Sequence, residues 1–237
     1  MKTKSDLLTA RRQQPSFASP EKKTRRTTVR MPAAERREQI LNKAFEFFAE
    51  YGLTAQTRAL ADACGISQRL LYSIFPSKSA LISAVYETEI AGVFKAVWFL
   101  QLRDRSKPME QRLNEFYREY YKHVLTRRWM RLFLYASLAE VEMAPTYIAS
   151  IIVNLLETMM DEAAHEAGLR LPKNRAELQE VGWVLHGAVS HLAIRRHIYH
   201  GDTPLEVEKV ISLQVTSFLA GLNAILPVDI TSHLPVQ

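Results

Sequence analysis

With 237 residues and 47% hydrophobic side chains, the chain is long enough to bury a sizeable core in one or two domains. Its net charge of +6 is uneven, because residues 1–30 hold nine lysines and arginines against two acidic residues and carry +7, which leaves −1 for the rest. The basic composition is therefore not an argument for a basic face on the folded body. A single cysteine excludes an intramolecular disulfide, and no apolar signal segment is visible.

No apolar run reaches the roughly 18 residues that a membrane-spanning helix needs. Together with the single cysteine, which suits a reducing compartment, this predicts a cytoplasmic protein that does not enter membranes. The chain has only 8 glycines and no alternating strand pattern, so the sequence predicts an all-α fold.

Residues 1–31 are rich in Arg, Lys, Ser, Thr and Pro and have no helical periodicity. They are predicted to form a disordered basic tail. Two interpretations remain open: a solvated tail, or an arm that adds contacts to phosphates or enters a minor groove.

The first helix is predicted over 32–51. Pro32 suits the first turn of a helix, and Gly52 suits its end. Its apolar stripe consists of Ile40, Leu41, Ala44, Phe45, Phe47, Phe48 and Tyr51. We interpret this helix as structural support for the segment that follows.

The segment 57–76 has the pattern of two helices joined by a tight turn. A first helix is expected from Thr57 to Cys64, with the Thr57 hydroxyl as its N-cap. Gly65 allows the chain to leave the helix with positive φ, and Ser67 is placed to cap a second helix over 68–75. Small Ala61 lies where the two helices meet. This spacing is typical of a helix-turn-helix, although an ordinary helical hairpin would share it.

Residues 65–81 read Gly-Ile-Ser-x-x-x-Leu-Tyr-x-x-Phe-x-Ser-Lys-x-x-Leu, and the preceding EQILNKAFEFFAEYGLTAQTRALADACG completes the pattern. This sequence resembles the signature of the tetracycline-repressor (TetR) family of bacterial transcription regulators. The specific resemblance covers residues 35–86. It implies an N-terminal three-helix DNA-binding domain, over 32–80, and a larger helical effector-binding and dimerisation domain, over 81–237.

The second helix of the motif would read operator DNA. Arg69 can bind guanine O6 and N7 bidentately, and Gln68 suits adenine. The resemblance implies that Tyr72 reaches a phosphate, that Thr57 and Arg58 share this task, and that Lys78 joins the next helix N-terminus in a phosphate site. The full predicted DNA-binding set is Thr57, Arg58, Ser67, Gln68, Arg69, Tyr72, Ser73 and Lys78. Leu70, Ser73 and Ile74 depart from the family's usual residues, so the operator sequence is not readable.

After the motif, one long helix is expected over 77–102, and in the family this helix joins the two domains. Gly92 would let it bend, or would be a simple packing glycine. Further helices are expected over 109–125, 127–142, 146–167, 176–200 and 204–226. The resemblance implies that the last two pair with their copies in a homodimer.

Aromatic and methionine residues recur on the middle helices and are candidates for an effector pocket. The predicted set is Phe94, Trp98, Tyr117, Tyr121, Phe133, Met159, Trp183 and His186. The alternative is that they are plain core. A pocket of this composition would suit a small hydrophobic or aromatic effector, because no Arg or Lys falls clearly on the inner stripe.

Two other classes of protein were weighed. An enzyme is disfavoured because no catalytic, metal or cofactor motif is complete. Glu162-Ala-Ala-His165 matches one Glu-x-x-His motif of the helical di-iron proteins, which use two such motifs and two more Glu; no second copy is present, and the pair is interpreted as a solvated helix face. The sequence thus predicts no catalytic residues, no metal and no cofactor. A DNA-binding protein that is architectural, or controlled by a partner without a small effector, stays open, as does an activator instead of a repressor.

Overall fold

A computed structural model describes residues 32–139, 142–201 and 204–229, all helical apart from loops and one isolated bridge between Leu169 and Val228. This confirms the predicted all-α fold. The helices are α1 (Ala33–Tyr51), α2 (Thr57–Ala63), α3 (Gln68–Ile74), α4 (Lys78–Val85), α5 (Val97–Leu102), α6 (Met109–His123), α7 (Arg127–Leu138), α8 (Met143–Tyr147), α9 (Val153–Ala167), α10 (Arg175–His197) and α11 (Val207–Ile225). The predicted tail over 1–31 lies outside the described residues. The described residues from Ala33 onward form one compact unit, and the domain boundary expected at residue 80 stays a prediction.

The first three helices fold as the sequence pattern predicts. α1 contacts α2 and buries Phe45 and Phe48, and Leu60 and Ala61 of α2 are also buried. Gly52 and Gly65 have φ of +79° and +66°, which only glycine adopts without strain, so each ends its helix where expected. α2 and α3 have 7 residues each and bury few side chains, so their stability depends on packing against each other and against α1.

The long helix expected over 77–102 is interrupted, and this prediction was wrong. α4 ends at Val85 and continues as a wider π-helical turn, Tyr86–Ala91, before Gly92 and a second start at α5. A Cβ on Gly92 would lie 2.6 Å from the Glu87 carbonyl oxygen and 2.8 Å from that of Thr88. Gly92 is therefore required by a close backbone approach, which the sequence could suggest only as a possible bend.

The remaining helices form the body. α6 packs on α11, α9 on α10, and α7 against α1. α7 ends at Leu138, short of the expected residue 142, and the next helix begins at Met143 with Pro145 inside its first turn. α8, a π-helical turn and α9 together span Met143–Ala167, which Gly168 ends with φ +63° as expected.

Met143–Ala167 is the one described helix that is long and apolar enough to cross a membrane by length and composition alone. Half of its most apolar window is buried inside the protein, as in the core helix of a soluble fold. The finding is therefore weak support for a membrane span.

Candidate nucleic-acid interface

The exposed face of α3 carries the side chains that the sequence singled out. Gln68, Arg69 and Tyr72 are all exposed, while Leu71 on the opposite face is buried at 1% exposure. Ser67 accepts a hydrogen bond from the Leu70 amide at 3.1 Å, which confirms the predicted cap of α3. The helix thus presents a polar face to solvent and holds it with an apolar anchor.

Thr57 does not cap α2, contrary to the prediction. The N-cap residue is Gln56, which makes no side-chain cap, and Thr57 is the first helical residue. Its hydroxyl lies 2.9 Å from the Tyr72 hydroxyl and accepts a hydrogen bond from Gln68 Nε2 at 3.2 Å. The hydroxyl therefore links α2 to α3 instead of capping α2.

These side chains line a shallow, polar groove of about 520 Å³. Its lining residues are Thr54, Ala55, Gln56, Thr57, Arg58, Gln68, Tyr72 and Lys78. The Lys78 ammonium group enters it from the start of α4 and donates to the Ala55 carbonyl oxygen at 2.8 Å. Five predicted residues therefore meet in one place, and hydroxyl, amide and ammonium donors are the groups that bind phosphate oxygens.

Three lining residues, 54–56, were missed by the sequence analysis. The signal was their position just before a helix start, where the first amides of α2 have no intrahelical partner. Three predicted residues lie outside the groove: Ser67, Arg69 and Ser73. The two serine hydroxyls bond Leu70, Ser67 as the cap and Ser73 by donating to the Leu70 carbonyl oxygen at 2.7 Å, whereas Arg69 has an exposed guanidinium.

The aromatic residues predicted to hold an effector pack against one another in the body. The Phe94 and Trp98 ring centroids are 5.1 Å apart, and the His186 ring lies 5.3 Å from Trp183 and 6.1 Å from Tyr117. Tyr117 and Met159 expose 0% of their surface, so no space that admits water adjoins them. Tyr121 and Phe133 are partly exposed, with Phe133 stacked on Trp129 and Tyr121 beside His197.

His186 is the distinctive polar group of this cluster. Its Nδ1 is buried without a hydrogen-bond partner, and complete burial lowers the pKa of His186 to about 4, so the ring is neutral at physiological pH. Burial likewise raises the pKa of Tyr117 and Tyr120. The Tyr120 hydroxyl lies 3.2 Å from that of Tyr147. Whether an effector enters here stays a prediction.

Glu162 is not on a solvated helix face, and that prediction was wrong. It is 6% exposed and accepts hydrogen bonds from Arg112 Nη1 at 2.9 Å and from Arg105 Nε at 3.0 Å. Burial by itself would raise the pKa of Glu162, but the two guanidinium groups outweigh it and lower the pKa. Arg112, 2% exposed, also bonds the Leu102 carbonyl oxygen and Glu166.

The inner stripe of the body therefore does contain an arginine, which the sequence analysis missed. The available signal was spacing, because Arg112 shares the 3.6-residue stripe of Phe116 and Tyr120. Among the described residues, no group of three or more His, Cys, Asp and Glu side chains could hold a metal ion.

Comparison with known proteins matches the same part of the chain. The profile of the bacterial regulatory proteins of the tetR family matches residues 40–85. None of the curated proteins matches the chain.

Solved structures share the fold across most of the chain. A TetR-like transcriptional regulator from Rhodococcus sp. RHA1 is 21% identical with a TM-score of 0.62, and the match covers 83% of this chain and 100% of that one. A tetR-family transcriptional regulator from Streptomyces coelicolor is 18% identical with a TM-score of 0.59, covering 82% and 83%. The fatty acid degradation regulator FadR from Bacillus halodurans is 16% identical with a TM-score of 0.58, covering 78% and 98%.

The profile match falls on α1 to α4, where the exposed polar face of α3 and the polar groove lie, and the structural matches extend the likeness in fold to the body. Residues 40–85 therefore form a DNA-binding domain of the type found in bacterial regulatory proteins of the tetR family, and the rest of the chain shares the fold of solved tetR-family regulators.

Proposed function

We propose that this chain is a homodimeric, sequence-specific repressor, released from its operator by a small, largely hydrophobic or aromatic effector. The observation that carries the DNA-binding part is α3, with Arg69 and Gln68 exposed beside a groove of phosphate-binding donors. In this arrangement Arg69 and Gln68 read base edges, while Thr57, Tyr72 and Lys78 fix the register through phosphates.

The homodimer is supported by the outward faces of the last two helices. Val184 on α10 is 61% exposed, and Leu213 and Ile225 on α11 are 49% and 58% exposed. A Cβ on Gly187 or Gly221 would meet nothing within 4 Å, so both glycines lie on open helix surface. Exposed apolar residues and open glycines on these two helices suit close helix pairing with a second copy, and a two-fold dimer reads paired half-sites.

The effector is supported by the neutral, unpartnered His186 among aromatic rings. A small aromatic or hydrophobic molecule with one polar group would satisfy Nδ1 and would favour a conformer whose recognition helices are wrongly spaced for the operator. Because Tyr117 and Met159 have no accessible surface, such a molecule must open the cluster to enter. The same observation favours the second candidate, control by a partner without a small effector.

We infer in addition that the protein is a cytoplasmic regulator and not an enzyme. The family model supports this, since tetR-family regulators are in general non-enzymatic, soluble transcription factors. Its partners would be double-stranded operator DNA, a second copy of the chain and the effector, with no cofactor.

The test is selection of bound fragments from the source genome by the purified full-length protein at near-physiological salt, followed by footprinting. A protected inverted repeat is expected. Arg69→Ala should weaken binding by about 1–3 kcal/mol at particular base pairs, whereas Tyr72→Phe should weaken all sites alike. The absence of any enriched site would refute sequence-specific regulation.

The effector is tested on that operator. Probes are phenol and indole, each an aromatic ring with one polar group, with toluene and benzoate as the apolar and charged controls. Release by the first pair alone supports the proposed class. If none shifts the melting temperature or the operator affinity, the effector proposal fails, and partner control becomes the better account.

A further inference from the structure

Helix α7 holds the end of α1 through Arg131. Arg131 Nε donates to the Ala49 carbonyl oxygen at 2.6 Å, and its Nη2 donates to the Glu50 carbonyl oxygen at 3.0 Å. Both carbonyls belong to the last turn of α1, where backbone acceptors have no intrahelical partner and the helix dipole is negative. Nη2 also bonds the Tyr135 hydroxyl at 3.1 Å, which fixes the guanidinium on its own helix.

Two neighbouring arginines add weaker contacts to the same interface. Arg128 Nη1 lies 3.3 Å from Glu46 Oε1, and its guanidinium carbon lies 5.1 Å from the Phe45 ring centroid. Arg127 Nη1 reaches Glu50 Oε2 at 3.5 Å. The Arg127 and Arg128 side chains are about half exposed, whereas the Arg131 side chain is 21% exposed, so Arg131 is the least screened of the three.

The other connection between the DNA-binding helices and the body is not a rigid rod. α4 gives way to the π-helical turn and to Gly92 before α5 begins. α7 contacts this connection as well, because Trp129 Nε1 donates to the Ile90 carbonyl oxygen at 3.4 Å. α7 therefore contacts both connections to the DNA-binding helices, α1 and the segment between α4 and α5. Its contact to α1 is the stronger, because two charge-assisted hydrogen bonds form it.

We propose that Arg131 is the positioning residue that fixes the tilt of the helix-turn-helix on the body and thereby determines which half-site spacing the dimer accepts. The rigid fork of the guanidinium restrains α1 at two points, and a single donor cannot do this. Without it, the remaining contacts between α7 and α1 restrain α1 to α3 less tightly, and these helices can tilt about the interrupted α4 connection. This inference rests on the proposed dimeric, operator-binding function.

The test measures operator affinity as a function of half-site spacing. The operator is the natural inverted repeat from the genomic selection, and two variants carry one base pair more or one fewer between the half-sites. One base pair moves a half-site by about 3.4 Å and rotates it by about 35°. The wild-type dimer should prefer the natural spacing about 10–100-fold. Arg131→Gln should reduce this preference to less than about 5-fold, because its freer domains accommodate the altered sites.

Two further variants make the result specific. Arg131→Lys keeps the charge but loses the fork, so its spacing preference should be intermediate. Arg118→Gln removes an exposed arginine of α6 that makes none of the α7–α1 bonds described above, and it should leave the preference unchanged. If Arg131→Gln does not fold, Arg131→Lys is judged by the same ratio.

Each outcome is decisive. A flattened preference in the Arg131 variants alone supports the inference. Equal weakening at every spacing overturns it, because Arg131 would then contribute only stability. If the wild-type protein binds its operator without any spacing preference, it does not bind two half-sites as a dimer. That outcome would contradict the proposed function itself.

Discussion

In residues 57–78 the polar side chains lie on the surface and contact each other across a shallow groove, as Thr57 and Tyr72 do, whereas in the body Arg112 and Glu162 are buried and bonded to one another. A bound ligand could replace most of the hydrogen bonds that the surface side chains of residues 57–78 make with one another. The buried set satisfies charges that would otherwise be costly to remove from water.

The same residue type, arginine, is therefore available for ligand binding in one region and serves folding in the other. An exposed Arg69 keeps its donors available for a partner, while Arg112 spends its donors on Leu102, Glu162 and Glu166. We therefore expect substitutions in the first region to change DNA binding with little effect on folding, and substitutions in the second to do the reverse.

The largest expected effect tests this contrast directly. Arg112→Met should lower the free energy of unfolding by about 3–5 kcal/mol, because it leaves the buried Glu162 with one guanidinium partner instead of two. Denaturant unfolding measures it. Arg69→Ala is the matched control and should change stability by less than about 0.5 kcal/mol. Equal losses in the two variants would remove the distinction between the regions.

The next effect concerns the buried imidazole. His186 has a folded pKa of about 4 against an ordinary value of 6.5, so the unfolded chain binds the proton more readily. The resulting stability is complete above pH 6.5 and is lost as the pH falls toward 4, by about 3 kcal/mol in all. His186→Gln should flatten the stability profile between pH 6.5 and 5. An unchanged profile would mean that His186 is not buried in the neutral form.

Gly92 lies on the connection between the two regions, and its substitution should have a smaller effect. Gly92→Ala should lower the free energy of unfolding by about 1–3 kcal/mol, because the new methyl group would press on the Glu87 and Thr88 carbonyl oxygens. Calorimetry or denaturant unfolding measures the change. A neutral or stabilising result would indicate that the π-helical turn relaxes to a regular helix without cost.

The smallest effect compares a crowded glycine with an open one. Because nothing lies within 4 Å of a Cβ at Gly221, Gly221→Ala should stabilise the single chain by about 0.5–1 kcal/mol. If α11 pairs closely with a second copy, the same methyl group should weaken the dimer, which sedimentation equilibrium measures. Unchanged association would place Gly221 outside the interface.

Local signals were sufficient for the DNA-binding helices. Gly52, Gly65 and the Ser67 cap are determined by backbone geometry within a few residues, and each prediction is confirmed. The Thr57 prediction was wrong because it considered only local partners. A hydroxyl at a helix start satisfies a local rule, but Tyr72 and Gln68 of another helix compete for it, and that competition is invisible to spacing alone.

The amino-acid sequence by itself determined the helical fold and the helix-turn-helix, because periodicity, caps and turn glycines act over short distances along the chain. Only the tertiary structure decided that α4 is interrupted, that Glu162 is buried with Arg112 and Arg105, and that Arg131 holds the end of α1. These features join residues that lie 50 to 82 positions apart or depend on close backbone packing, so no local pattern specifies them.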